Sequence, residues 1–514
     1  MKKLINNINS NDTRDFIFLI IYGIIFLNLY TTFCSDIKYF RFFAPEFIFF
    51  YGFVGILIYG LCRKMTNYEC ILTYCLMLYM TIKEYIKLLR VGRYIDLELI
   101  TVNEITIYIK IILLFSLLII LILMYFLEDK YSEIFLNFET YILMLLSVIG
   151  LLVILNSNHM FVLYVGVELQ SLSVYILCCL NRYSVKSVEA GLKYFIFGSY
   201  ASLTLLLGIS FLFLTLGTLN YNDLNTIFNS SDFKDNLLVH FALINLLIGL
   251  FFKLAIAPFH WWLSDVFEGS PDFITFFLAI IPKLPMFYIL YVFYTSFYVC
   301  FIFYSYILMV CGVLSIVIGT ILAIYTVKIK KLLAYSSIVH MGYMLVALSL
   351  NINISIAVAF YYYLIYLFST INLFSIYLLI KNTQILVSGN ITDLSYLKNS
   401  NKFLALIAIT SLLSLAGIPP FMGFYGKLLV FNVLINVGNY IICLIILILS
   451  IISCVYYIRL IRFLFFNDKS EEYIAFQRKK SVYLYIFINI LFFINIIFLF
   501  GQETLLLFII RLFS

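Results

Sequence analysis

The chain has 514 residues, of which 64% are hydrophobic and 11% charged, with a formal net charge of +7. Soluble domains carry roughly 25% charged residues, so this composition cannot cover a water-facing surface. It excludes a soluble enzyme, a nucleic-acid binder and a disordered protein. The fold class it implies is all-α, a polytopic helical membrane protein, because the apolar runs are long and continuous where a β-barrel would alternate in short segments. The excess of 33 Lys+Arg over 26 Asp+Glu reports loop topology rather than a basic ligand site.

Met1–Asp15 mixes Lys2, Lys3 and Arg14 with Asp12 and Asp15. No small-residue cleavage site follows the apolar stretch Phe16–Cys34, so a spanning helix is expected near 16–34 rather than a cleaved targeting segment. Further helices are expected near 46–62, 69–89, 105–127, 138–156, 159–180, 190–217, 237–258, 273–297, 301–326, 332–350, 354–380, 403–435, 440–466 and 482–510. That makes about fourteen or fifteen spans. Lys83, Glu84 and Lys87 crowd the end of the 69–89 segment. The longest polar stretches are Arg90–Glu104 and Asn467–Lys480.

The connections alternate in charge. One set holds Arg182 and Lys186, then Lys328, Lys330 and Lys331, then Lys381, Lys398 and Lys402, then Lys469, Arg478, Lys479 and Lys480. The intervening set is acidic or uncharged, so the basic set faces the matrix or cytoplasm. One connection breaks the pattern: Asp265, Glu268 and Asp272 fall on the basic side.

The five helices from 138 to 297 and the five from 301 to 466 match in order, at an offset of about 170 residues. The chain therefore divides into N-terminal helices (1–130), two inverted five-helix repeats (131–298 and 299–467) and a C-terminal loop and helix (468–514). In each repeat the fourth helix is interrupted by proline, at Ala257-Pro258 and at Ile418-Pro419-Pro420. Two discontinuous helices at corresponding positions point to a transport site at the repeat interface.

An ionisable side chain in a spanning helix is costly unless solvated or paired, which makes it a functional candidate. Glu168 is the one charge in 159–180, Lys253 in 237–258, Lys283 in 273–300 and Lys427 in 403–458. Burial disfavours an isolated charge, so such groups are poised to take and release protons. Glu168 with Lys253 is expected to form a switchable pair, Lys283 to pass the proton laterally and Lys427 to be a terminal site. His340, in a polar cluster inside its helix, is expected either to relay protons or to pack against a hydroxyl or carbonyl. His260 sits at the first helix break, while His159 and His240 read as interfacial. Lys110 and Lys193 lie near helix ends and are expected to snorkel, and Glu189 to pair with Lys186 or Lys193. The ten cysteines show no CxxC and no ligand spacing, and are read as free thiols. No dinucleotide, phosphate-loop or iron–sulfur motif is present.

The stretches "LYVGVELQSLSVYIL" (163–177), "EAGLKYFIFGS" (189–199), "FKLAIAPFHWWLSDVFEGSP" (252–271), "KKLLAYSSIVHMGYMLVAL" (330–348), "SLAGIPPFMGFYGK" (414–427) and "YYIRLIRFLFF" (456–466) occur in this order. Together they resemble the antiporter-like subunit-two family of respiratory NADH:ubiquinone oxidoreductase, complex I, over roughly residues 105–510. The resemblance implies proton translocation driven by NADH oxidation elsewhere in a complex. It implies that Glu168 is the family's proton-pathway glutamate, that Lys253 and Lys427 are the lysines of the two broken helices, that Lys283 is the connecting lysine, and that His340 holds a polar central position. It implies no cofactor in this chain, with NADH, FMN, iron–sulfur clusters and ubiquinone bound by other subunits. It also implies partners in the antiporter-like subunit four, subunits 4L and six, accessory proteins and membrane lipids, with no nucleic acid. The implied location is the mitochondrial inner membrane, with a chloroplast thylakoid or a bacterial plasma membrane as alternatives. Three departures stand out: Ser264 replaces a usual proline, "SPDF" (270–273) stands where many members have "SPTP", and Pro285 follows Lys283 closely. A stand-alone cation/proton antiporter subunit and a non-pumping scaffold are the competing readings.

Overall fold

The computed structural model describes residues 44–62, 67–91, 95–96, 98–126, 138–229, 236–382, 389–395, 402–465, 486, 488–493 and 500–513. The helix expected at 16–34 and the charged stretch at 467–480 lie outside them. The described chain is almost wholly helical. Helices α1 (Ala44–Cys62), α2 (Asn67–Val91), α3 (Glu104–Phe126) and α4 (Phe138–Asn156) come first, with a two-stranded antiparallel hairpin between α2 and α3 that pairs Ile95 with Val102. Next come α5 (Met160–Cys178), α6 (Val185–Leu216), α7 (Tyr221–Asn229), α8 (Leu237–Leu254), α9 (Trp261–Gly269), α10 (Asp272–Ile280), α11 (Lys283–Ser296) and α12 (Tyr298–Tyr325). The remainder are α13 (Ile329–Leu348), α14 (Asn353–Asn382), α15 (Lys402–Ala416), α16 (Met422–Asn436), α17 (Tyr440–Phe465) and α18 (Gln502–Phe513).

Ten helices among the described residues are long and apolar enough to cross a membrane, taking α10 and α11 as one span. The chain is a multi-pass membrane protein of all-α class. The 69–89 segment does form a helix, α2, but its charges keep it out of that set. The 403–435 segment divides into two short apolar helices, α15 and α16.

Burial separates centre from rim. The span Asp272–Ser296 is 94% buried and α13 is 89% buried, whereas α17 is 33% buried and α6 39%. The first two form the axis of the bundle. The last two turn Leu, Ile and Phe outward, as a lipid- or subunit-facing surface requires.

Both proline interruptions end their helix in the same way. At the end of α8, Ala255 takes φ 55°, its amide donates to Phe252 O, and the Ile256 amide donates to Phe251 O. At the end of α15, Gly417 takes φ 77°, its amide donates to Ser414 O, and the Ile418 amide donates to Leu413 O. This is the Schellman arrangement, which satisfies the last carbonyls of a helix through one left-handed residue. Ala257-Pro258 and Pro419-Pro420, both cis, follow these stops.

A third break lies where the sequence reading had one helix at 273–297. The chain turns at Ile281-Pro282, so α10 ends at Ile280 and Lys283 opens α11. Pro282 and Pro285 each withhold an amide, and each ring crowds the carbonyl four residues earlier.

The acidic exception to the charge alternation is neutralised by ion pairs on its own face. Glu268 meets Lys186 at 3.6 Å, Lys331 at 2.7 Å and also Lys328. Asp265 meets Lys193 at 2.8 Å and Lys331 at 4.0 Å. Burial pushes the Glu268 carboxyl up, but the bonds from Lys328 and Lys331 prevail and hold it at about 2. Asp272, at the "SPDF" departure, is buried and pairs with Lys330 at 2.7 Å. Lysines from α6 and from the start of α13 thus grip α9 and α10 from both sides. The acidic connection therefore does lie on the basic face.

Candidate functional site: a buried row of lysines and tyrosines

Lys253 occupies the last turn of α8, two residues before the left-handed Ala255. The exposed carbonyls of a helix C-terminus favour a cation there. One of them, Phe252 O, is taken by the indole Nε1 of Trp262 at 3.1 Å. The Lys253 ammonium lies over the Tyr175 ring, 5.7 Å from its centroid, and reaches the Tyr175 hydroxyl at 3.4 Å.

Glu168 and Lys253, expected as a switchable pair, are not in direct contact here. Glu168 is half-buried on α5 and, among the described residues, makes no ion pair within 4.0 Å. Tyr175 stands seven residues after Glu168, about two helical turns, and takes the ammonium that the carboxylate was expected to hold.

Lys253 and Lys283 line one small cavity, together with Gln170, Tyr194, Trp262 and Met286. It has room for about one water molecule. Lys283 is buried at the start of α11, just past the third break. Its ammonium sits 5.4 Å from the Tyr366 centroid and 3.4 Å from the Tyr366 hydroxyl. Tyr366 also meets His340, with ring centroids 5.2 Å apart.

His340 is buried on α13 and bound at both ring nitrogens. Nδ1 lies 2.9 Å from the Tyr362 hydroxyl and Nε2 lies 3.0 Å from the Tyr457 hydroxyl. A neutral imidazole has one donor and one acceptor nitrogen, so one tyrosine donates to the ring while the other accepts from it. Reversing the tautomer reverses both bonds, which is the geometry of a two-way proton relay.

Tyr362 stacks on Tyr343, with centroids 5.6 Å apart, and the Lys427 ammonium lies 5.4 Å from the Tyr343 centroid. Lys427 donates to Ala416 O at 2.6 Å and to Ser453 Oγ at 3.5 Å. It therefore caps α15 from the far side of the break. Gly417 makes that approach possible, because a Cβ there would come within 2.6 Å of Lys427 Cδ.

The structure thus brings Lys253, Lys283, His340 and Lys427 into one row, with Glu168 at its edge. Among the described residues, none of the three lysines has a carboxylate within 4.0 Å. The tyrosines that link them, Tyr175, Tyr366, Tyr362, Tyr457 and Tyr343, were not singled out in the sequence. A signal was available for three of them: Tyr175, Tyr343 and Tyr457 lie in the stretches 163–177, 330–348 and 456–466 that carry the family resemblance.

Lys110 corrects a sequence expectation. It does not snorkel: it is fully buried on α3 and donates to Glu46 Oε1 at 2.7 Å and to Asn156 Oδ1. It too lies over a tyrosine, 5.3 Å from the Tyr85 centroid. Lys193 remains part-exposed and pairs with both Glu189 and Asp265, each at 2.8 Å. His260 is buried at the first break, His159 caps α5 by accepting from the Phe161 amide, and His240 bonds the Tyr304 hydroxyl at 2.7 Å. Among the described residues, no three His, Cys, Asp or Glu side chains gather as a metal site.

The profile of the family described as NADH:quinone oxidoreductase/Mrp antiporter, transmembrane, matches residues 157–453. NADH-quinone oxidoreductase subunit N of Pelagibacter ubique is 36% identical over 352 residues, covering 67% of this chain and 73% of that protein. NADH-ubiquinone oxidoreductase chain 2 of Marchantia polymorpha is 34% identical over 387 residues, covering 74% and 77%. In fold, the chain is similar to one in respiratory complex I of Thermus thermophilus, with a TM-score of 0.69 and 23% identity over 90% of this chain and 98% of that one. A chain of the Mrp complex from a Dietzia species gives a TM-score of 0.79 and 17% identity over 91% and 96%. The chain belongs to the NADH:quinone oxidoreductase/Mrp antiporter transmembrane family, alongside the antiporter-like subunits named subunit N and chain 2.

Proposed function

We propose that this chain is a membrane-arm subunit of a proton-translocating NADH:quinone oxidoreductase. It carries protons across the membrane while NADH oxidation and quinone reduction proceed in other subunits. The observation that carries this reading is the row itself: three buried lysines without carboxylate partners among the described residues, joined through a shared cavity, a tyrosine and a doubly bonded histidine. A lone ammonium in a dry site is held charged only weakly, so a change in the charge at Glu168 redistributes protons along the row.

In this reading Glu168 sets the charge felt by Lys253, Lys283 passes the proton through Tyr366 to His340, and Lys427 is the last site. Residues 131–298 and 299–467 act as the two repeats that carry the broken helices. NADH, FMN, iron–sulfur clusters and ubiquinone are held by other subunits. The partners are the antiporter-like subunit four, subunits 4L and six, and accessory proteins. The location is the mitochondrial inner membrane, a proposal that the likeness to chain 2 of Marchantia polymorpha supports.

The second reading, a cation/proton antiporter subunit, is favoured by the fold likeness to the Mrp complex. A native gel of solubilised membranes, stained for NADH oxidation and probed for this chain, separates the two. The chain is expected in the NADH-oxidising band. Migration in an assembly without that activity would put the antiporter reading first.

A further inference from the structure

Lys253 and Lys283 reach one small cavity from different helices, α8 and α11, and α5 adds a third polar group to its wall through Gln170. Gln170 is 1% exposed. Its side-chain Nε2 has no hydrogen-bond partner among the described residues. A buried amide left without a partner is costly, so this one calls for a ligand. The cavity that it lines with the two lysines is where such a ligand has room.

The rest of the wall narrows the choice. Leu263, Leu278 and Met286 give it apolar surface. Trp262 offers no donor, because its Nε1 is already bonded to Phe252 O at 3.1 Å. Its ring stacks on Phe252 and on Tyr194, with centroids 5.3 and 4.6 Å apart, and Tyr175 meets Tyr194 edge-on at 4.8 Å. These interlocked rings hold the shape of the cavity. A buried water needs about two to four polar partners, and Lys253, Lys283 and Gln170 supply them. An ammonium has three donors. Tyr175 engages one from Lys253 and Tyr366 one from Lys283, each at 3.4 Å, so both lysines keep donors for the cavity.

Resting on the proton-translocation reading, we propose that Gln170 is the positioning residue for the lateral step, its amide holding one water between Lys253 and Lys283. An N–H bond of the Lys253 ammonium breaks as an O–H bond forms on that water. Another O–H bond of the water breaks as an N–H bond forms on the Lys283 amine. Lys253 is left as a neutral amine, Lys283 becomes the ammonium, and the water and Gln170 end as they began. A neutral amide suits this place. It offers the water both a donor and an acceptor, and it carries no charge to trap the proton in passage. Glu168, two residues earlier, is on the half-buried side of α5 and Gln170 on the buried side. The carboxylate sets the local charge and the amide sets the geometry of transfer.

The test uses the assembled complex in proteoliposomes. NADH:quinone turnover and proton pumping are read in ordinary and in heavy water, beside a native gel. Gln170→Met keeps the length of the side chain and removes the amide, and Gln170→Leu removes it with a second shape. Both variants should assemble as well as the unaltered protein, because neither strands a bonded partner. Turnover and pumping should fall together by about tenfold, the scale of one lost hydrogen bond. The slowing in heavy water should grow, because transfer across the cavity then limits the rate. A residue that only fills space would leave that isotope effect unmoved. Full rates in either variant, an unchanged isotope effect, or loss of the assembled complex in both overturns the proposal. Lys253→Ala, run in parallel, keeps the two ideas apart. If it loses pumping while the Gln170 variants keep it, only the role of Gln170 has failed; if it also pumps fully, the translocation reading itself has failed.

Discussion

Lys283→Met should leave the complex assembled and lower NADH-driven proton pumping about a hundredfold or more, the usual scale for losing a proton-transfer group. Lys283 is the one ammonium between the Lys253 cavity and His340, and it has no carboxylate partner to strand. Methionine fills nearly the same volume without the desolvation cost, so stability should be unchanged or raised. That split between stability and pumping distinguishes a proton carrier from a structural residue. Lys283→Arg sharpens the test. A guanidinium keeps the positive charge but does not release its proton at physiological pH, so Arg should fail as Met does. Normal pumping in either variant, measured by proton uptake in vesicles, would remove Lys283 from the path.

Lys110→Ala should have the opposite signature, loss of the protein itself. The side chain is wholly buried and, with Tyr85 and Asn156, supplies one of the three donors on Glu46 Oε1. Removing one member of a buried pair costs about 3–5 kcal/mol, because the surviving charge stays buried without its partner. The native-gel band of the assembled complex should therefore weaken sharply, with activity lost in proportion to the band. A variant that assembles fully would show that Asn156 and Tyr85 alone satisfy Glu46.

The fold class and the charges of the row were legible because a charge in an apolar run has few explanations. Glu168, Lys253, Lys283 and Lys427 each stand alone in their segment, and each can be picked out by inspection. Their wiring was not legible. With 42 tyrosines in the chain, nothing marks Tyr362 or Tyr366 as special. The Lys283–Tyr366 contact spans 83 positions and the His340–Tyr457 bond spans 117, so neither leaves a local pattern.

Lys110 was misread for the same reason. A lysine near a helix start ordinarily snorkels, and the carboxylate that holds it inward lies 64 positions away. The Glu168–Lys253 pair was expected from charge, and the ammonium instead meets Tyr175, seven residues further along the helix of Glu168. The break at Ile281-Pro282 was passed over because a proline in an apolar run often only kinks a helix. Here two prolines three residues apart divide it and place Lys283 at the opening of the second piece.

The most direct measurement is on membranes carrying Lys253→Ala, with NADH:quinone turnover and proton pumping recorded together and assembly checked on a native gel. Lys253 sits at the first break, lines the cavity it shares with Lys283, and contacts Tyr175 rather than a carboxylate. If the row carries protons coupled to NADH oxidation, the complex assembles while turnover and pumping fall together. If the complex assembles and both rates match those of the unaltered protein, the row is not the proton path, and this chain holds its neighbours in place without pumping.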